Sequence, residues 1–244
     1  MSVFLLGGSA AFDSAAEAFT PSAGGSAATI ALLLQGGPNW EKYVAQYVEP
    51  WLQRGVTRYH AIVPREDGTL DVEAAATRLR AASGIFIGGG HTPTYLRLYA
   101  TEPLRSIIRE RYQQGVPYAG MSAGALIAPQ ICAIPPDDTG ERSVRLASGL
   151  GLIEDCVIGV HFTASNALPH VLEAMAQTQT ATGWGINDDA CAVFEDGQFK
   201  RALGGSVFEI RMRDFRVRTY QITEHSPWRW TAEPGRASPA EKSD

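Results

Sequence analysis

Through the first two thirds of the chain, short apolar runs end in glycine or polar residues and give way to longer stretches whose apolar positions recur at helical spacing. That alternation predicts strands joined by helices in a parallel α/β sheet. The strands are expected at VFLLG (3–7), TIALLLQG (29–36), TRYHAIV (57–63), GIFIGG (84–89), VPYAGM (116–121) and VIGVHF (157–162). Helices are expected over NWEKYVAQYVEPWLQRG, VEAAATRLRAA, PTYLRLYA with PLRSIIRERYQQG, and LPHVLEAMAQT.

Beyond residue 183 the pattern changes to strand, turn, strand. Asp196-Gly197 separates two β-like runs and predicts a hairpin, so the sheet should end in antiparallel strands. The segment AIPPDDTGERSVRLASGLGL (133–152) reads as one long excursion from the sheet. The polar, Pro- and Gly-containing end has nothing to bury, which gives one α/β domain over 1–232 and a flexible tail over 233–244.

Composition narrows the function classes. With 244 residues and 45% hydrophobic content the chain can bury a full core. A net charge of -5 and scattered Lys and Arg offer no field for a nucleic-acid backbone. Cys132, Cys156 and Cys191 are far apart and lack CxxC spacing, so neither disulfides nor a zinc site is expected. The apolar start lacks a basic leader and no run is long enough for a membrane helix. A cytoplasmic protein without membrane partners is the expectation.

The candidate chemistry lies in GVPYAGMSAGALIAPQ (115–130), where Gly120-Met121-Ser122-Ala123-Gly124 has the form GxSxG. Glycines at these positions let a strand turn sharply into a helix and expose the serine hydroxyl at the sheet's C-terminal edge. The Ala123 amide, opening the helix, can then donate to a developing oxyanion. A second cluster, Gly88-Gly89-Gly90, closes another predicted strand, and such a nest of amides is a candidate second donor. His60, His170 and His225 read as structural or exposed, whereas His91 and His161 follow strand runs and should reach the same edge. His161 is the better base, because His91 would crowd the glycine nest. For the acid, Asp188, Asp189, Asp137 and Asp138 stay open on spacing alone.

Three motifs in order, IFIGGGHT, AGMSAGA and GVHFTASNALP, resemble the peptidase E (aspartyl dipeptidase) and cyanophycinase family of serine peptidases, with further likeness in GLGLIEDCVIGVHF and GWGINDDACAVF. The resemblance implies a class I glutamine-amidotransferase-like, flavodoxin-like α/β fold: a mostly parallel sheet flanked by helices, with antiparallel strands at the C-terminal end. It implies Ser122 as nucleophile, His161 as base and Asp188 as the third member, where the family commonly has glutamate, with Asp137 as reserve. Ala123 with Gly89 or Gly90 would bind the oxyanion, and no metal or organic cofactor is required.

Two departures bear on substrate. His91 stands where the family has asparagine, which places His91 and Thr92 beside the expected site, and HFTASNALPH lacks the arginines that cyanophycinases carry after HF. The resemblance therefore points to the dipeptidase branch and a small peptide with an N-terminal aspartate, for which Arg142 and Arg145 are cationic candidates by charge alone. A homodimer is compatible with the family. The competing readings are an α/β-hydrolase esterase, disfavoured because the histidine precedes the acid, and a non-catalytic small-ligand-binding protein on the same fold.

Overall fold

The computed structural model describes residues 1–227, so the expected tail (233–244) lies outside the described residues. The chain begins with β1 (Ser2–Leu6), α1 (Phe12–Ser22), β2 (Thr29–Leu33), α2 (Trp40–Leu52), β3 (Arg58–Ile62), α3 (Val72–Ala81) and β4 (Gly84–Ile87). It continues through α4 (Thr92–Tyr99), α5 (Leu104–Gln113), β5 (Tyr118–Met121) and the short α6 (Ala123–Leu126). Then come β6 (Ile131–Ile134), α7 (Pro136–Thr139), β7 (Arg145–Ser148), β8 (Cys156–Val160), α8 (Leu168–Thr178) and β9 (Thr182–Ile186). β10 (Ala190–Glu195), β11 (Gln198–Gly204), β12 (Val207–Asp214) and β13 (Thr219–His225) complete the described chain.

Seven strands form the main sheet in the order β11-β10-β1-β5-β4-β2-β3. Its five strands from β1 to β3 are mutually parallel, while β10 and β11 join antiparallel at one edge. Strands such as FLL and IALL are buried along their length because helices cover both faces. Alternation divides each strand between two cores. Val3 and Leu5 pack with residues of α3, α4 and α5, whereas Phe4 and Leu6 pack with Phe19 of α1 and Trp51 of α2.

The helices carry their own start signals. Asp71 accepts the Ala74 amide at 3.0 Å as the N-cap of α3, and Arg78 and Arg80 occupy its last turn, where the helix dipole favours cations. The β10-β11 turn places Asp196 and Gly197 at φ 50° and 75°, the left-handed pair a two-residue hairpin needs.

Two features depart from the expectation. The VIGVHF strand, β8, does not extend the main sheet; it pairs in parallel with β9 in a separate four-stranded sheet, β13-β12-β9-β8. Within that sheet, Gly183 and Gly185 of β9 leave room for Met175, Val171 and Phe162, which a β-carbon would meet at 2.3–2.7 Å. That lets α8 lie directly on a β8-α8-β9 unit. The excursion is also structured, as an antiparallel β6-β7 pair with α7 between. The helix α1 was not among the expected elements; its buried residues are Ala15, Ala16, Phe19 and Thr20, of which only Phe19 is large and apolar, so the sequence shows no strong apolar period.

Candidate active site

The turn between β5 and α6 consists of one residue, Ser122, at φ 52° and ψ -112°. A non-glycine residue is strained there, and such strain persists only where neighbours fix it. The Ser122 amide donates to the Leu6 carbonyl of β1 at 2.9 Å, and Gly124 N–H donates to the Gly88 carbonyl at 3.2 Å. A β-carbon on Gly124 would lie 2.3 Å from the Ile87 oxygen, and one on Gly120 would lie 2.4 Å from the Gly124 oxygen. Both glycines are thus needed for α6 to sit on the ends of β4 and β5. The Tyr118 hydroxyl closes the turn from below by donating to the Gly124 carbonyl at 2.6 Å.

His161 follows β8 and Asp188 follows β9, so two adjacent parallel strands deliver both to one edge. His161 Nε2 lies 2.9 Å from Ser122 Oγ, and its Nδ1 lies 2.6 Å from Asp188 Oδ1. An ionised carboxylate only accepts, so Nδ1–H donates to Asp188 and the Nε2 lone pair faces the serine hydroxyl. His161 is itself at φ 49°. Its neighbours fix the loop: Asn187 Oδ1 accepts from Thr163 N–H at 3.2 Å and from the Thr163 hydroxyl at 3.0 Å. The acid loop rests on the end of β1, where a β-carbon on Gly8 would stand 2.9 Å from Asp188 Oδ1 and one on Gly7 would stand 2.1 Å from the Asn187 oxygen. Gly7, Gly8 and the bonding role of Asn187 were missed from sequence; the signal was the glycine pair closing VFLLGG.

The remaining candidates separate clearly. Ala123 N–H opens α6, and neither it nor the Gly90 N–H has an acceptor among the described residues. The Gly89 amide donates to Tyr47 Oη at 3.1 Å. The residue also has a spatial role: a β-carbon there would lie 2.7 Å from Met121 Sδ and 3.2 Å from Ser122 Cβ, filling the approach to the nucleophile.

His91 and Thr92 both bond to Asp138 of α7. His91 Nε2 lies 2.8 Å from the Asp138 carbonyl oxygen, which can only accept, so Nε2 carries the proton; Nδ1 lies 3.0 Å from Thr94 Oγ1. Thr92 is fully buried, and its amide donates to Asp138 Oδ2 at 3.0 Å. Together these bonds fasten α7 to the start of α4. Asp138 is thereby an α4 capping residue rather than a triad acid, and the exposed Asp137 makes no bond to His161. Asp189 turns away, its carbonyl accepting the Gly205 amide at 2.9 Å. Arg145 pairs with Glu141 at 3.5 Å and Arg142 is exposed; neither bonds to Ser122, His161 or Asp188. Among the described residues no cluster of His, Cys, Asp and Glu is placed to hold a metal, and no helix is long and apolar enough to cross a membrane.

A parallel α/β sheet bearing a strained serine at a strand-helix turn, with histidine and carboxylate in line behind it, has the architecture of nucleophile-elbow hydrolases. Residues 3–202 match the model of Peptidase family S51, and the chain belongs to that family. A cyanophycinase of Trichormus variabilis is 32% identical over 167 residues, covering 66% of this chain and 56% of its own length. This chain therefore spans little more than half of that relative. A peptidase E of Shewanella denitrificans is 33% identical over 105 residues, covering 43% of this chain and 38% of its own. In three dimensions the crystal structure of a peptidase from an acI-B1 Actinobacterium superposes with a TM-score of 0.69, over 92% of this chain and 96% of that one, at 18% identity. That likeness is one of fold.

Proposed function

We propose that the protein is a serine peptidase acting on short peptides through Ser122, His161 and Asp188. The observation that carries this reading is the unbroken line of bonds from Ser122 Oγ to His161 at 2.9 Å and from His161 to Asp188 at 2.6 Å. Its setting is a strained elbow in a member of Peptidase family S51. In the mechanism, Ser122 Oγ attacks the scissile carbonyl carbon as His161 Nε2 takes the hydroxyl proton. The resulting oxyanion is held by the Ala123 and Gly90 amides, preorganised donors that need no rearrangement as charge develops. Asp188 holds the imidazolium, which passes its proton to the leaving amine as the C–N bond breaks. Water, deprotonated by the same imidazole, then attacks the acyl carbon, and the imidazolium returns that proton to Ser122 Oγ as the ester C–O bond breaks.

The preference for N-terminal aspartate that the resemblance implies needs a cation at the first-residue subsite. With Arg145 engaged by Glu141, Arg142 is the remaining candidate of the two. Hydrolysis of Asp-Ala, Glu-Ala, Phe-Ala and Ala-Ala by the wild-type chain beside Ser122→Ala tests the proposal. Turnover that vanishes in the variant, with melting temperature retained, is the expected outcome. Equal turnover in both proteins would refute the serine mechanism, and silence of the folded wild-type protein on every peptide would favour a binding role. An aspartate held at that subsite by Arg142 is the rival to an aromatic first residue: Asp-Ala cleaved faster than both Phe-Ala and Ala-Ala, with the advantage lost in Arg142→Ala, would decide for it.

A further inference from the structure

A cavity of about 240 Å³ opens beside Gly89, walled by Trp40, Tyr43, Tyr47 and Tyr95 with Gln35 at its edge. We infer that this cavity is the subsite for the residue on the acyl side of the scissile bond and that it takes an aromatic side chain. The inference rests on the peptidase reading and names its substrate class.

Position gives the first argument. In the main sheet β5, which carries Ser122, lies between β1 and β4. Asn187 and Asp188 rest on Gly7 and Gly8 at the end of β1, so the His161 side of the nucleophile is the β1 side. Gly89 and Gln35 follow β4 and β2, on the opposite side. His161 must stand next to the leaving amine to protonate it. The acyl residue is then directed away from it, toward the cavity. Gly89 joins the two places, since its β-carbon position is 3.2 Å from Ser122 Cβ while its amide bonds to Tyr47.

The walls give the second. Tyr95 Oη accepts the Gln35 amide at 3.2 Å and donates to the Gly89 carbonyl at 3.0 Å, and the Tyr47 ring is backed by Phe12 and Phe86 at centroid distances of 5.1 and 5.7 Å. These rings are fixed before any ligand arrives, which lowers the cost of binding. Whole small-molecule sites run to about 300–1,000 Å³, so this volume suits one side chain. Indole and phenol faces favour a ring against them. Among the described residues no cation lines the cavity; Arg65 lines an adjoining one that shares Gln35 and Trp40, and it pairs with Asp71 at 3.0 Å. Burial raises the Tyr47 and Tyr95 phenols above their usual range, so both stay neutral. A carboxylate seated here would give up its hydration for neutral partners alone.

The test compares kcat/KM for Phe-Ala, Ala-Phe, Asp-Ala and Ala-Ala in wild type, Trp40→Ala and Tyr43→Ala. Tyr43 is 58% exposed, so its replacement does not threaten folding. Calorimetric binding of the same peptides to Ser122→Ala, alone and combined with Tyr43→Ala, runs alongside. Expected is a preference for Phe-Ala over the other three on the order of 10-fold or more, with the Phe-Ala to Ala-Ala ratio collapsing in both cavity variants. Ala-Phe or Asp-Ala cleaved as well as Phe-Ala, or a ratio untouched by either variant, overturns the inference. If no peptide is cleaved, the peptidase reading fails and binding decides the subsite separately. Phe-Ala held about 10-fold tighter than Asp-Ala, and weakened by Tyr43→Ala, keeps it; equal binding removes it.

Discussion

Replacing Ser122 by glycine and, separately, by alanine isolates the energy stored at the elbow. Both variants lose the hydroxyl and its bond to His161, so both should lose turnover, and whatever that bond contributes to stability cancels between them. They differ in the β-carbon. At φ 52° and ψ -112° alanine retains the clash that serine suffers, whereas glycine does not. Residues held in sparsely populated regions cost about 1–3 kcal/mol. Against that relief, glycine adds freedom to the unfolded chain worth about 0.4–1 kcal/mol. Ser122→Gly should therefore exceed Ser122→Ala by about 0.5–2 kcal/mol. At about 2–4 °C per kcal/mol for a domain of this size, the glycine variant should melt about 1–8 °C higher. Differential scanning calorimetry of the two proteins under one buffer and scan rate reads this directly. A glycine variant melting at or below the alanine variant would refute the claim that the surrounding fold holds Ser122 against its own backbone preference.

Asp188→Asn keeps the size of the side chain but removes the charge that steadies the imidazolium, so kcat on the best peptide should fall by about 10³–10⁴ with the melting temperature nearly unchanged; a fall below tenfold would remove Asp188 from the mechanism. Stability should also decline in alkali. Burial pushes the thiols of Cys132, Cys156 and Cys191 up, Cys156 to about 12, and raises the phenols of Tyr95, Tyr99 and Tyr118. Because the folded state holds these protons more tightly, their contribution is complete below the ordinary thiol value of 9.0 and is lost as pH rises beyond it. Melting temperatures measured from pH 7 to 11 should be flat with respect to these groups up to about pH 8.5 and then fall; a rise above pH 9 would contradict the burial.

Much of the arrangement was legible because it is local. Buried parallel strands are continuous apolar runs, the elbow is five consecutive residues, and Asp196-Gly197 encodes its own turn. The places where reading failed depend on partners far away in the chain. The Gly89 amide donates to Tyr47, 42 residues earlier, a bond that no local pattern announces. His91 sat at the expected edge, yet its ring is spent on the backbone of Asp138, 47 residues later, which no spacing rule connects to it. The second sheet was hidden for a related reason. β8 has the same fully buried pattern as a strand of the main sheet, and its pairing with β9, whose Gly183 and Gly185 receive Met175, Val171 and Phe162, depends on contacts that the pattern does not carry.

That second sheet bears on how the site is assembled. Ser122 belongs to the main sheet, while His161 and Asp188 come from neighbouring strands of the smaller one. The histidine and the aspartate are therefore placed together by one pair of strands, and the quantity the fold must control is their distance from the serine. Control is exerted where the two sheets meet at the end of β1. There Gly7 N–H donates to the Ala190 carbonyl of β10 at 3.0 Å, just past the acid loop that leads from β9 into the main sheet, and Leu6 O accepts the Ser122 amide at 2.9 Å. The same short stretch, Leu6 to Gly8, thus holds Ser122 by its backbone on one side and bears the Asn187-Asp188 loop on the other. Side chains at Gly7 or Gly8 would push the acid loop outward and lengthen the 2.6 Å bond to His161, and with it the 2.9 Å approach to Ser122. The strained angles at Ser122 and His161 lie at the two ends of that approach, where backbone comfort is given up so that a hydroxyl and an imidazole from different sheets face each other.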